Sequence, residues 1–168
     1  MPALAFAKAD ASAAPSLRAI AAACAEDLTK RFGPGHGSGV RTIETIRRNC
    51  RHKDVWLARD GPDIVATFQL EPKKPGFVSR KKFTRPDEPY LWLVNFFVHA
   101  TRQRRGIGRA CIEEMRRIAA KRAARWVRWD AYSAPAGASA FYEKCGAKLI
   151  DATTVRGVGL AIFEVGAS

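Results

Sequence analysis

Phe97-Val98-His99-Ala100-Thr101-Arg102-Gln103-Arg104-Arg105-Gly106-Ile107-Gly108-Arg109 joins the most strand-like run of this chain to its clearest amphipathic helix. Upstream, Tyr90–Val98 reads Tyr-Leu-Trp-Leu-Val-Asn-Phe-Phe-Val. That run is almost unbroken in β-favouring residues, the pattern of a strand buried on both faces and central in a sheet. Downstream, Gly106–Ala123 sets Ile107, Cys111, Met115, Ile118 and Ala119 on one helical face and Arg109, Glu113, Arg116, Arg117 and Lys121 on the other. The turn between them is short and basic. Glycines at 106 and 108 let backbone approach a ligand closely. The N–H groups that open a helix lack acceptors, and together with the helix dipole they favour an anion. Arg102, Arg104, Arg105 and Arg109 add positive charge, so the turn suits a pyrophosphate. Two familiar phosphate loops do not fit. A Walker loop ends in Gly-Lys-Ser/Thr, which is missing. A dinucleotide fingerprint needs a third glycine where Cys111 stands.

Outward from this unit, Trp126–Ala131 reads as a strand and Gly137–Lys144 as a helix stopped by Gly146. Ala147–Asp151 and Val158–Val165 read as closing strands. Glu71–Pro89 is polar, basic and broken by four prolines, an excursion between strands. Val55–Arg59 and Ile64–Leu70 flank Asp60-Gly61-Pro62-Asp63 and predict a hairpin whose loop exceeds two residues. Ala3–Lys8 reads as a first strand. Ser16–Arg31 reads as a helix carrying Leu17, Ile20, Ala21, Cys24 and Leu28 on one face. Phe32–Gly39, with four glycines, is a loop, and Val40–Cys50 a second short helix. This alternation predicts an α/β (α+β) chain with a mixed, mostly antiparallel sheet of six or seven strands and flanking helices. Tyr90–Val98 and Trp126–Ala131 are expected to run parallel, to splay apart, and to be joined by a right-handed crossover.

The whole chain, 1–168, has the length of one domain. At 47% hydrophobic and 27% charged it is too apolar for wholesale disorder, and it holds no apolar run long enough to span a bilayer as a helix. The N-terminal stretch to Cys24 is interrupted by Lys8, Asp10 and Pro15, unlike the continuous apolar core of a signal peptide. Cys24, Cys50, Cys111 and Cys145 lie far apart, with no Cys-x-x-Cys. They read as thiols in a reducing compartment, hence a cytoplasmic protein, and as neither a zinc site nor a disulfide framework. Net charge is +13, and Arg102–Arg128 carries ten basic residues against Glu113 and Glu114. Such a patch attracts phosphate-rich or acidic partners without choosing among them.

The turn resembles the acetyl-CoA motif of the GNAT superfamily, the Gcn5-related N-acetyltransferases, whose pattern is Gln/Arg-x-x-Gly-x-Gly/Ala shortly after a strand. Gln103, Gly106 and Gly108 match it at the expected distance from Val98. A second element, Ala138-Ser139-Ala140-Phe141-Tyr142-Glu143-Lys144-Cys145-Gly146, is similar to the family's Ala-x-x-Phe-Tyr-x-Lys-x-Gly. The order of elements agrees from about Leu4 to Val165, while the specific motifs cover Phe96–Gly146. The chain departs from the family at Ala100, often Pro, at Ala147, often Phe, and at Pro135, where an Asn often contacts the pantetheine arm.

The resemblance implies an acyl-CoA N-acyltransferase fold and an N-acetyltransferase that moves acetyl from acetyl-CoA to a primary amine by direct attack. Acetyl-CoA is the co-substrate, and no metal is required. Gln103, Arg104, Arg105, Gly106, Ile107, Gly108 and Arg109 would hold the pyrophosphate. The backbone at Phe96, Phe97 and Val98 would pair with the pantetheine amides and polarise the thioester carbonyl. Tyr142 would protonate the leaving thiolate, since a phenol is protonated at neutral pH. One branch of the family places a glutamate base where Trp92 stands, so the base is open among Glu71, Asp87, Glu88 and Asn95 with a water. The alternatives are a basic nucleic-acid-binding module, for which no recognition motif is present, and a CoA-binding domain without catalysis. The reading sets membranes and nucleic acid aside as partners and allows a homodimer. The acceptor amine, a small molecule or a protein amine, is not legible. The cations Lys73, Lys74, Arg80, Lys81, Lys82 and Arg85 point either to an anionic acceptor or to a disordered basic flap.

Overall fold

The computed structural model describes residues 3–37 and 39–168. In chain order the elements are β1 (Ala5–Lys8), α1 (Ala14–Phe32), α2 (Ile43–His52), β2 (Asp54–Asp60), β3 (Asp63–Glu71), β4 (Tyr90–Val98), α3 (Ile107–Lys121), β5 (Trp126–Tyr132), α4 (Ser139–Lys144), β6 (Lys148–Val155) and β7 (Val158–Gly166). The strands follow the order β1-β2-β3-β4-β5-β7-β6 in one seven-stranded sheet. The β1–β2, β2–β3, β5–β7 and β6–β7 ladders are antiparallel, and β4–β5 is parallel. This is the mixed sheet with a parallel central pair that the alternation of elements predicts. No helix among the described residues is long and apolar enough to cross a membrane. The chain gathers into two compact units, Met1–Leu70 with Asn95–Cys111, and Glu71–Val94 with Ile112–Ser168.

In the first unit, Asp10 accepts a hydrogen bond from the Ser12 N–H at 2.7 Å and caps the turn that leads into α1. Leu17, Ile20, Ala21 and Cys24 form the buried face of α1, at the spacing the sequence shows. Leu17 packs with Ala9, Ala13, Val55 and Leu57, and Ile46, Cys50 and Ile64 lean on this cluster. Thr42 caps α2 by accepting from the Thr45 N–H at 3.2 Å. The β2–β3 hairpin is tighter than predicted. Asp60 pairs with Asp63, so only Gly61 and Pro62 form the loop. Gly61 takes φ +59°, a conformation that suits a two-residue hairpin turn and costs a glycine little.

In the second unit the excursion from Glu71 to Pro89 is a packed element and not a flap. Val78 and Phe83, each 4% exposed, join Trp92 and Ile162 in a core cluster. Arg128 on β5 is fully buried. It donates to Glu164 of β7 at 3.3 Å and to the Arg85 carbonyl at 2.7 Å, with its guanidinium 4.2 Å from the Phe83 ring centroid. Glu164 also accepts from the Thr84 N–H at 3.0 Å. The ion pair therefore fastens the excursion to the sheet. Desolvation lowers the Arg128 pKa, and Glu164 opposes that shift. The β6–β7 hairpin closes through Arg156 and Gly157, both at positive φ, as a type I′ turn requires.

Arg128→Met is expected to lower unfolding free energy by roughly 3–5 kcal/mol, because it strands a buried carboxylate. The double variant Arg128→Met/Glu164→Leu should regain much of that loss. Urea denaturation measures both, and a double variant less stable than the single one would contradict the account.

Candidate active site

The cofactor-motif residues lie in the first unit. Near its C-terminal end β4 is kinked by Asn95, whose φ of +52° breaks the strand's alternation. Asparagine is among the few non-glycine residues that adopt this conformation readily. After Val98 the chain makes a 3₁₀ turn at Ala100–Arg102 and enters α3 at Ile107. The turn is fastened from several sides. The His99 N–H donates to the Val65 carbonyl at 2.9 Å, and the Arg102 N–H to the His99 carbonyl at 2.8 Å. The Val98 carbonyl accepts twice, from the Cys24 thiol at 3.0 Å and from Gln103 Nε2 at 3.2 Å. Burial pushes the Cys24 thiol up to about 11, with a smaller contribution from Asp27, so it stays a protonated donor at neutral pH.

Beyond Gln103 the backbone curls through positive φ at Arg104 (+60°) and Gly106 (+82°). The first bond of the helix runs from the Ala110 N–H to the Gly106 carbonyl at 3.0 Å. The N–H groups of Ile107, Gly108 and Arg109 precede it and have no carbonyl one turn back within the helix. Ile107 is 2% exposed and roots this end of α3 in the core. Arg104, Arg105 and Arg109 are exposed, and none has an acidic partner among the described residues. Arg102 differs from them. Its guanidinium pairs with Asp63 at 2.8 Å and Asp60 at 3.7 Å, so it braces the turn against the β2–β3 loop. The result is a basic turn with open backbone N–H groups, an arrangement that favours an anion.

Two hollows adjoin this part of the first unit. One, of about 760 Å³, is lined by His99, Thr101, Arg102, Asp10 and Arg59 and lies under the start of α1. Of its cations, Arg102 pairs with Asp63 and Lys8 with Asp54. The other, of about 40 Å³, is lined by Arg41, Asn49, Thr67, Gln69, Asn95 and Phe97 between α1, α2 and the strands. A Cβ at Gly39 would press into the Phe97 ring, so the loop before α2 passes close to β4 there.

Tyr142 lies in the second unit, on α4. Trp129 stacks with Phe163, its partner across the β5–β7 ladder, at 5.7 Å. Tyr142 packs against both, with centroid distances of 5.1 and 5.2 Å, and against Phe141 at 5.2 Å. Burial raises its pKa far above the ordinary phenol value, with smaller contributions from Cys145 and Asp130. The entry to α4 is tight. A Cβ at Gly137 would overlap the Tyr132 carbonyl oxygen, and the Gly137 N–H donates to the Ser133 carbonyl at 3.1 Å.

The four candidate bases differ in setting. Asp87 is exposed and ion-paired with Arg80. Glu88 accepts from the Trp126 indole at 2.6 Å. Glu71 ends β3 half-buried, and Asn95 lines the smaller hollow. Sequence reading passes over Asp130 of β5, whose pKa is raised by burial. Its signal is one acid in a strand that holds, besides Arg128, only apolar and aromatic residues.

Sheet order and the parallel central pair are those of the acyl-CoA N-acyltransferase fold. The pattern of the Acetyltransferase (GNAT) family matches residues 21–147, and the chain belongs to that family. Solved structures agree in fold. A GNAT-family acetyltransferase from Listeria monocytogenes superposes with a TM-score of 0.74 at 8% identity, over 97% of this chain and 94% of that one. The PaiA N-acetyltransferase of Thermoplasma acidophilum, in complex with coenzyme A, has a TM-score of 0.74 at 14% identity over 98% and 99% of the two chains. YncA of Salmonella typhimurium, with its cofactor acetyl-CoA, has 0.70 at 10% identity over 98% and 94%. Against curated protein sequences the chain finds no match.

Two outcomes are expected. Gly137→Ala should destabilise the fold by about 1–3 kcal/mol, read from thermal unfolding, because the crowding atom is backbone and cannot swing away. In an alkaline ultraviolet titration one of the three tyrosines should stay un-ionised beyond about pH 11, and Tyr142→Phe should remove that late step. Since the unfolded phenol loses its proton near pH ~10 and the folded one keeps it, stability falls as pH rises past that point. Simultaneous ionisation of all three tyrosines would contradict the assignment.

Proposed function

We propose that this chain, as one N-acetyltransferase domain over 1–168, transfers acetyl from acetyl-CoA to a primary amine by direct attack in a ternary complex. The observation that carries the reading is the turn at Gln103–Arg109, with its open N–H groups and three unpaired arginines, in a chain of this family. The co-substrate supplies an activated thioester. Backbone N–H groups from Arg104 to Arg109 hold the pyrophosphate, and the arginines neutralise phosphate charge. The side chain of Gln103 braces Val98, which leaves its main chain for the ligand. The β4 backbone at Phe96–Val98 takes the pantetheine amides as an added strand would. Holding both substrates together supplies rate through orientation. Tyr142 keeps its proton at neutral pH and delivers it to the leaving thiolate. The free cysteines suit a cytoplasmic enzyme.

For the acceptor, the smaller hollow offers the guanidinium of Arg41 beside the amides of Asn49 and Asn95. Among the excursion's cations, Arg80 pairs with Asp87 and Lys82 with Asp151, while Lys73, Lys81 and Arg85 have no acidic partner among the described residues. An amine that also carries a carboxylate suits this distribution better than a polyamine.

Tyr142→Phe should lower kcat by roughly 10²–10⁴-fold with the acetyl-CoA KM little changed, measured by thiol release. Replacing Arg104, Arg105 and Arg109 together by Gln should do the reverse, raising KM and flattening its salt dependence. Paired acceptors differing only in a carboxylate test the acceptor charge. Better turnover of a polyamine would contradict that part of the reading.

A further inference from the structure

The larger hollow, of about 760 Å³, takes no part in the acetyl transfer proposed above. Its lining comes wholly from the first unit: the end of β1, the start of α1 and the turn before it, the β2–β3 hairpin, and the turn after β4. It shares no residue with the smaller hollow and none with Gln103–Arg109. Its volume is that of a small-molecule site. Ile20, Leu57 and Val65, all buried, supply its apolar part. Its charged groups are of both signs. Lys8 pairs with Asp54, and Arg102 with Asp63 and Asp60. Asp10 and Arg59 remain, and neither forms an ion pair among the described residues.

These two opposite charges feel one another without meeting. The Ser12 hydroxyl and N–H both donate to Asp10 Oδ1, and they hold this carboxyl below its ordinary range, with a smaller contribution from Arg59. Arg59 spends one N–H on the Pro62 carbonyl, at 3.0 Å, and its other N–H groups have no acceptor among the described residues. His99 adds a neutral donor. Its Nδ1 accepts from the Thr101 N–H at 3.3 Å, so the neutral ring carries its proton on Nε2. The Ser16 hydroxyl, exposed on the first turn of α1, donates or accepts.

From two unjoined opposite charges beside apolar side chains, we infer that the larger hollow is a second ligand site, which binds a small amino-carboxylate zwitterion, the chemical class of the free amino acids. The ligand's ammonium group goes to Asp10. Its carboxylate goes to Arg59, whose unused N–H groups can donate two parallel bonds. Its hydrocarbon part rests on Ile20, Leu57 and Val65. Neither pure charge type fits as well. A polycation meets Lys8, Arg59 and Arg102, and a phosphate-type polyanion meets Asp10 and Asp63. No bond is made or broken here, and the site stands apart from the acceptor carboxylate assigned to Arg41 in the smaller hollow.

Isothermal titration of the full chain, without acetyl-CoA, against the standard amino acids and their ω-amino homologues tests this. At least one should bind with a Kd of about 1 mM or tighter. The N-acetylated and the decarboxylated forms of that ligand should each bind roughly 10–100-fold more weakly, because each lacks one charge-assisted contact. Arg59→Gln should weaken binding by a similar factor. Ala19→Trp, which fills the hollow from the exposed side of α1, should abolish it. Circular dichroism shows whether each variant is folded, and one folded variant is enough for the test. Arg41→Gln, in the smaller hollow, should leave the affinity unchanged. The proposal is overturned by an absence of binding across the series, or by equal binding of either blocked form. It is also overturned by unaltered affinity in either folded variant, or by a loss that follows Arg41→Gln instead. None of these results touches the transferase reading, which acetyl-CoA consumption measures separately.

Discussion

The Val98 carbonyl is the point on which the first unit's site depends. Two donors from different parts of the chain converge on it, the Cys24 thiol of α1 and the Gln103 amide of the turn it precedes. With the bond from His99 to Val65, they hold the end of β4 against both helix α1 and strand β3. The chain can then reverse within a few residues into α3. Its first N–H groups are left open, as they are at the start of any helix. Positive φ at Arg104 and Gly106 is the cost of that reversal, of order 1 kcal/mol for a non-glycine residue.

Charge in this protein separates into two populations. One is structural. Arg128 is buried against Glu164, Arg116 donates to the Gly166 carbonyl at 2.8 Å, Arg117 binds Glu114 at 2.8 Å, and Arg102 clasps Asp63. The other includes Arg104, Arg105 and Arg109, packed into six residues around the start of α3 with no acidic partner among the described residues. Within Arg102–Arg128, Arg102, Arg116, Arg117 and Arg128 are answered by acids, while three neighbouring arginines at the turn are not. Trp129, at 1% exposure, is core.

Much of this was legible because the decisive segments have strong local signals. Tyr90–Val98 has the uninterrupted β pattern of a central strand, and Ile107–Lys121 the period of a half-buried helix. The β2–β3 loop was misjudged because Asp60 and Asp63 look like loop residues, yet they pair across the hairpin as its last rung. The excursion was opaque because its order comes from partners far along the chain. Phe83 and Thr84 are held by Arg128 and Glu164, which no local pattern connects to them. Among the candidate site residues, the glycines at 106 and 108 and Tyr142 stand out in the sequence through their motifs. The bracing role of Arg102 depends on a hairpin loop some forty residues earlier. Such a feature becomes visible only when register is known.

Hydrogen–deuterium exchange with and without acetyl-CoA addresses the central claim directly, because it reads backbone N–H groups one segment at a time. The account predicts new protection over Phe96–Val98 and Arg104–Arg109, the main chain assigned to the pantetheine and the pyrophosphate, while the buried face of α1 is unchanged. No ligand-dependent protection in those two segments, or protection confined to regions outside them, would contradict it.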